Sequence, residues 1–234
     1  MDTETKTTRP ALPRVLPFAL FMAFVGLEQG VRWLAGKGVL PLDQGELLLL
    51  YPVKAVAVAL LLAVFWRRYQ EIRLRDLRVS RDTGVALLVG VVVFVVWILL
   101  DVGWARVGQA GGYDPGLVDA PGLRGLLVGF RLFGAVLVVP VMEELFWRSF
   151  LMRWIIAPDF DKVPVGAFTW PSLLVVSALF ALAHHLILAG FLAGILYALV
   201  LYRTRSLAQC ILSHALTNLL LGWYVLQTGS WSLW

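Results

Sequence analysis

Nine consecutive residues, Pro140-Val141-Met142-Glu143-Glu144-Leu145-Phe146-Trp147-Arg148, place two carboxylates and a guanidinium inside a long apolar run. An ionisable side chain at the centre of a bilayer helix costs about 2.5–3.5 kcal/mol on insertion scales, so such residues are usually paired and functional. Glu144 and Arg148 stand four apart with the acid first, the favourable order for a helical ion pair. Glu143 lies about 100° further round and lacks that partner; a carboxylate so placed can take a proton from a water. The three histidines, His184, His185 and His214, all lie in the last two-fifths of the chain. Phe180 and His184 are four apart and share a helix face, as do His214 and Asn218. His185 is expected to point elsewhere and to serve packing. Two chemistries suit the set, general acid–base work without a metal or zinc binding by Glu143, Glu144, His184 and His214. The plainer reading is a buried ion-pair cluster that pins helix packing, with the histidines as hydrogen-bonding residues of the core.

These side chains need helices long enough to cross a bilayer. The 234 residues are 60% hydrophobic and 15% charged, with a mean hydropathy of +0.81. Soluble domains carry nearer 25% charged residues. The chain reads as an integral membrane protein, and its apolar runs are continuous, not alternating, which excludes a β-barrel. The fold class is therefore all-α, a polytopic membrane helix bundle. Cys210 stands alone, so there is no disulfide framework. The net charge of +5 reflects arginines of cytoplasmic loops, and nucleic acid is excluded as a partner.

Residues 1–14 read as a disordered tail, and 15–227 as one membrane domain with the motif-bearing core at 122–226. Seven spans are expected, with eight as the alternative. The first starts at Val15 and is an uncleaved span with no signal-peptidase site; Glu28 and Arg32 can neutralise each other near its far end. The second runs from Leu47 to Trp66 and holds Lys54. Residues 67–81 contain six arginines and are placed in the cytoplasm, as is the N-terminus. The third span is Gly84–Leu100, and 105–121 form an exterior Gly/Pro-rich loop. From Gly122 to Ala157 the chain stays helix-compatible for 36 residues, about 54 Å against a hydrocarbon core of ~30 Å. Pro140 is the expected break. The fifth span runs from Pro171 to Leu188, the sixth from Ala189 to Tyr202, and the seventh from Leu207 to Gln227. Gly190 and Gly194 allow a close helix approach. Arg131, eight residues into the fourth span, is expected to snorkel to the exterior interface, with a substrate carboxylate or lipid headgroup as the alternative partner.

Counted from the cytoplasmic helix ends, Glu143, His184, His214 and Asn218 lie about 21, 20, 11 and 17 Å deep at 1.5 Å per residue. Three separate helices thus bring polar groups to overlapping depths.

The sets Glu143-Glu144-x-x-x-Arg148, Phe180-x-x-x-His184 and His214-x-x-x-Asn218, in this order on separate hydrophobic helices, resemble the three motifs of the CAAX protease and bacteriocin-processing (CPBP) family of intramembrane endopeptidases. The resemblance covers about residues 122–226, and the run around Glu143 looks like a bacterial branch associated with exosortase systems. It implies an intramembrane CAAX-type endopeptidase of the bacterial inner membrane acting on a membrane-embedded or lipidated, prenylated or CAAX-like, peptide. Glu143 and His184 would activate water, His214 and Asn218 would stabilise the oxyanion, and Glu144, Arg148 and Phe180 would support them. One departure stands out: CAAX endopeptidases have eight spans, and only Thr228–Trp234 follow the His214 helix here. Glutamate chemistry without a cofactor is favoured over zinc, because no His-Glu-x-x-His occurs. The competing class is a non-catalytic transporter, or a ligand-binding or immunity protein, using the same polar cluster; the internal repeat common in transporters is missing.

Overall fold

The computed structural model describes residues 10–102 and 112–234. Among these residues there are no strands, and seven helical segments form the molecule: α1 Leu12–Gly36, α2 Gln44–Arg68, α3 Arg81–Leu99, α4 Pro121–Ile156, α5 Trp170–Leu182, α6 Ile187–Thr204 and α7 Leu207–Thr228. α2 contains a short irregular stretch at Leu48–Leu49 and tightens into a 3₁₀ turn over Trp66–Arg68. Five of the seven (α1, α2, α3, α4 and α6) are long and apolar enough to cross a membrane. α5 has 13 residues, about 20 Å of rise against a core of ~30 Å. α7 is long enough at 22 residues, but buried Gln209, Ser213, His214 and Thr217 lower its apolarity. Leu60, Leu88, Leu99 and Leu126 are exposed on the outer faces, the pattern of helices turned toward lipid. The chain is an integral membrane protein.

Local chemistry sets the helix ends. Ser80 and Thr169 accept hydrogen bonds from the backbone N–H groups of Thr83 and Ser172 at the starts of α3 and α5. Gly229, with φ +69°, closes α7 in the left-handed conformation. Part of the tail expected over 1–14, residues 1–9, lies outside the described residues, and Leu12, Pro13 and Arg14 belong to α1 instead. Of the expected exterior loop, 105–111 also lie outside the described residues; Pro115–Leu117 form a 3₁₀ turn.

Two expectations are corrected here. Pro140 does not break the long helix. α4 runs continuously for 36 residues, with π-helical turns at Gly134–Val138 and Leu145–Leu151 on either side of the α-helical Val139–Glu144. Proline has no N–H, and its ring collides with the carbonyl four residues back in a regular helix. The widened turn immediately before Pro140 accommodates the ring without ending the helix. The second correction concerns the fifth span, which stops at Leu182 and not at Leu188, so that His184 and His185 sit in the non-helical link to α6.

The helices pack around a continuous apolar core that includes Val58, Val93, Met142, Phe180, Ala193 and Val225. α6 lies close against α5 because Gly190 and Gly194 lack side chains there. A Cβ on Gly194 would meet the Cα of Ser177 at 2.9 Å, and one on Gly190 the Cα of Ala181 at 3.1 Å. At one end of the bundle the connections lock together. Arg14 pairs with Glu71 at 2.7 Å, Ser149 also donates to Glu71, Ser206 donates to Asp76 at 2.7 Å, and Arg205 donates to the carbonyl of Gly166. The arginine-rich segment, the 158–169 connection and the α6–α7 turn therefore share that end, and α4 traverses the bundle once. Glu28 pairs with Lys54 at 2.9 Å and not with Arg32, whose guanidinium reaches Gln44. Lys54 is buried, so its need for a counter-charge exceeds that of an interfacial arginine.

Candidate active site

Glu144 is the centre of the buried polar cluster. It is fully enclosed, with Arg148 Nε at 3.2 Å from one carboxylate oxygen and His214 Nδ1 at 2.9 Å from the other. Arg148 is equally enclosed. Its Nη2 donates to the carbonyl of Gly194 at 3.3 Å, and its guanidinium carbon lies 4.6 Å from the centre of the Phe180 ring. One carboxylate thus ties α4 to α7, while the arginine it holds ties α4 to α5 and α6. The missing side chain at Gly194 lets the α6 backbone approach near enough to be reached.

Glu143, one residue earlier, turns to an adjacent face and borders a cavity of about 280 Å³ inside the bundle. It is 7% exposed, and its Oε2 is buried without a hydrogen-bond partner. His184, His214 and Asn218 border the same cavity, as does Phe180. The structure therefore brings together all four residues expected to do chemistry, from α4, α7 and the α5–α6 link. Glu144 and Arg148 stand behind them and do not border the cavity.

Hydrogen bonding constrains the two imidazoles differently. His184 Nδ1 lies 2.7 Å from the carbonyl of Phe180. A carbonyl can only accept, so Nδ1 carries the proton, and in the neutral ring Nε2 keeps its lone pair. His214 Nδ1 faces the Glu144 carboxylate, which also accepts, and its ring stacks on Tyr197 with centroids 4.8 Å apart. With Nδ1–H donating to Glu144, Nε2 of His214 donates as well only in the imidazolium form of the ring. Asn218 donates one amide hydrogen to the carbonyl of Ala135 at 2.7 Å. Ala135 lies in the π turn before Pro140, where carbonyls are freed from the regular helical ladder. The second amide hydrogen of Asn218 remains for the cavity.

Other residues enter the site that the sequence did not single out. Trp97 meets His184 edge-on with centroids 5.3 Å apart, and Tyr197, Thr217, Leu233 and Trp234 border the cavity. Tyr197 follows Gly190 and Gly194 by seven and three residues, so the small-residue face of α6 is the signal that marks its inward direction. Thr217 donates to the carbonyl of Gly90 at 2.8 Å, where a Cβ would meet Ser213 O at 2.6 Å. Two sequence expectations fail. His185 borders the cavity because the helix has already ended, and Arg131 also borders it in place of snorkelling outward. Ser177 and Ser213 are buried and do not border it.

Among the described residues no three His, Cys, Asp or Glu side chains converge as a metal-binding group. Glu144 is committed to Arg148 and His214, so the zinc set of Glu143, Glu144, His184 and His214 does not fit this arrangement.

No curated protein and no solved structure matches the chain. Residues 125–220 match the family described as type II CAAX prenyl endopeptidase Rce1-like. That segment contains the Glu143–Arg148, Phe180–His184 and His214–Asn218 motifs, of which Glu143, Phe180, His184, His214 and Asn218 border the cavity. Over that segment the chain is similar to the Rce1-like type II CAAX prenyl endopeptidases.

Proposed function

We propose that this protein hydrolyses a peptide bond of a lipidated, CAAX-like substrate within the membrane by glutamate chemistry without a metal. The observation that carries the reading is the convergence of Glu143, His184, His214 and Asn218 on one cavity in an apolar bundle. Amide hydrolysis needs a base within reach of a water and donors aimed at the developing oxyanion. Glu143, with an unpartnered carboxylate oxygen, takes the proton from water, and the Nε2 lone pair of His184 orients that water. The hydroxide adds to the scissile carbonyl, and the oxyanion is held by the second amide hydrogen of Asn218 and by His214 Nε2–H. Collapse of the tetrahedral intermediate breaks the C–N bond. Glu143 returns its proton to the departing nitrogen, giving a carboxylic acid and an amine and restoring the Glu143 carboxylate. Glu144 and Arg148 position His214 and the helices without touching substrate. The membrane is the bacterial inner membrane, with the N-terminus on the cytoplasmic side.

Purified protein tests this with a farnesylated peptide ending in three aliphatic residues. Wild type should release the C-terminal fragment, and Glu143→Gln should nearly abolish release while melting like wild type. Binding of the peptide with no cleavage by wild type would replace the hydrolase with a ligand-binding protein.

A further inference from the structure

The cavity has a second polar end that hydrolysis does not use. Arg131, three turns before Glu143 on α4, borders it together with Tyr51 and Trp234. The guanidinium carbon lies 4.3 Å from the centre of the Tyr51 ring, 5.2 Å from Tyr113 and 5.8 Å from Trp234. Aromatic faces stabilise a guanidinium without consuming its in-plane N–H donors. Its Nε is buried without a hydrogen-bond partner, and no carboxylate pairs with it among the described residues. The nearby acid Glu28 is already engaged by Lys54, whose Nζ lies 5.1 Å from the other contact of this cluster, the Tyr51 ring. Among the described residues, two cations, Lys54 and Arg131, stand with one carboxylate, Glu28, at this end of the cavity, an apolar setting that suits a further anion.

Resting on the hydrolase reading, we propose that Arg131, caged by Tyr51, Tyr113 and Trp234, is the subsite that binds the C-terminal carboxylate of the substrate. A guanidinium binds a carboxylate through two parallel hydrogen bonds, a match of shape as well as charge. Spacing agrees with a short leaving fragment. Twelve residues of helix separate Arg131 from Glu143, about 18 Å along the axis. An extended peptide covers about 3.4 Å per residue, so a fragment of about three to five residues bridges the two, the arginine side chain supplying part of the reach. The subsite would make the enzyme measure the distance from the scissile bond to the chain end, and so select C-terminal substrates over internal peptide bonds.

The test uses the full chain carrying Glu143→Gln, in nanodiscs of zwitterionic lipid. The probes are two dye-labelled farnesyl-cysteine peptides ending in three aliphatic residues, one a free acid and the other a C-terminal carboxamide. The acid should bind at least tenfold more tightly than the amide. Adding Arg131→Gln should bring the two to equal affinity, and Arg131→Lys should keep part of the difference. The acid–amide comparison needs no change at Arg131, and it decides the matter if Arg131→Gln does not fold. Equal binding of both peptides, no binding of either, or a preference that survives Arg131→Gln overturns the assignment. A preference that appears only when phosphatidylglycerol is added would assign the cage to a lipid phosphate and also overturn it. Turnover by the wild-type protein is measured separately. Acid preference without cleavage would remove the hydrolase and leave the anion subsite, and cleavage without acid preference would do the reverse.

Discussion

Glu143 and Glu144 are adjacent in the chain and opposite in circumstance. Both oxygens of Glu144 face charged or protonated partners, whereas Glu143 Oε2 has none and looks onto the cavity. That difference is why the proposed mechanism gives proton transfer to Glu143 and not to Glu144. The amide of Glu143→Gln matches the acid in shape but cannot take a proton, so turnover should fall to near background with an unchanged melting curve. His184→Ala should act the same way. Asn218→Ala should slow single-turnover cleavage by roughly 10²–10³, the usual effect of losing one oxyanion donor. The smaller loss is expected because His214 remains. Chelation should leave the rate unchanged. Activity that falls with a strong chelator and returns with zinc, alongside stoichiometric metal lost in His184→Ala, would sink the metal-free mechanism.

At the level of elements, α4 depends on the Glu144–Arg148 pair to hold its neighbours. Arg148→Ala leaves the Glu144 carboxylate in a dry interior with His214 as its one remaining partner and should cost roughly 3–5 kcal/mol. Lost activity should therefore accompany lost folded protein, and an inactive variant that purifies and melts like wild type would make Arg148 a direct participant. Gly194→Ala should cost about 1–3 kcal/mol by overpacking, because the new methyl meets backbone at 2.9 Å. The α2–α3 connection adds a pH-dependent latch outside the membrane. Burial pushes the Glu71 carboxyl up, but hydrogen bonds from Arg14, its charge and the Ser149 hydroxyl together hold it below the ordinary carboxylate range. A depressed native pKa stabilises above the unfolded value and stops doing so as pH falls through the native one. Thermal stability should thus decline as pH drops below about 4.3, the ordinary glutamate value. Glu71→Gln should be less stable at neutral pH and show a shallower acid decline.

For the whole molecule, the single traverse of α4 decides the topology. Segments near residues 75, 163 and 204 gather at one end of the bundle through the Arg14–Glu71, Ser206–Asp76 and Arg205–Gly166 contacts. The proposed orientation, argued from the arginines of 67–81, puts that end in the cytoplasm. Reporter fusions near 75, 113, 163 and 204 should read inside, outside, inside and inside. An outside reading near 163 would mean two crossings between 122 and 157 and would contradict the packing of α4.

Composition and apolar runs alone determined an all-helical membrane protein, since a bilayer leaves backbone groups no other way to be satisfied. The i, i+4 spacings marked Glu144 with Arg148 and His214 with Asn218, because such pairs are local to one helix. What the sequence could not show were events that depend on neighbours. The link at His184 replaces a predicted helical turn, and a π turn lets α4 continue through Pro140 while presenting Ala135 to Asn218. Glu144 gains His214 from 70 residues away, and Lys54, not Arg32, satisfies Glu28. Arg131 faces inward because Tyr51, Tyr113 and Trp234, drawn from distant parts of the chain, form a cage around it. Helical periodicity reports which residues share a face of their own helix; the partner that face meets is decided only when the helices pack.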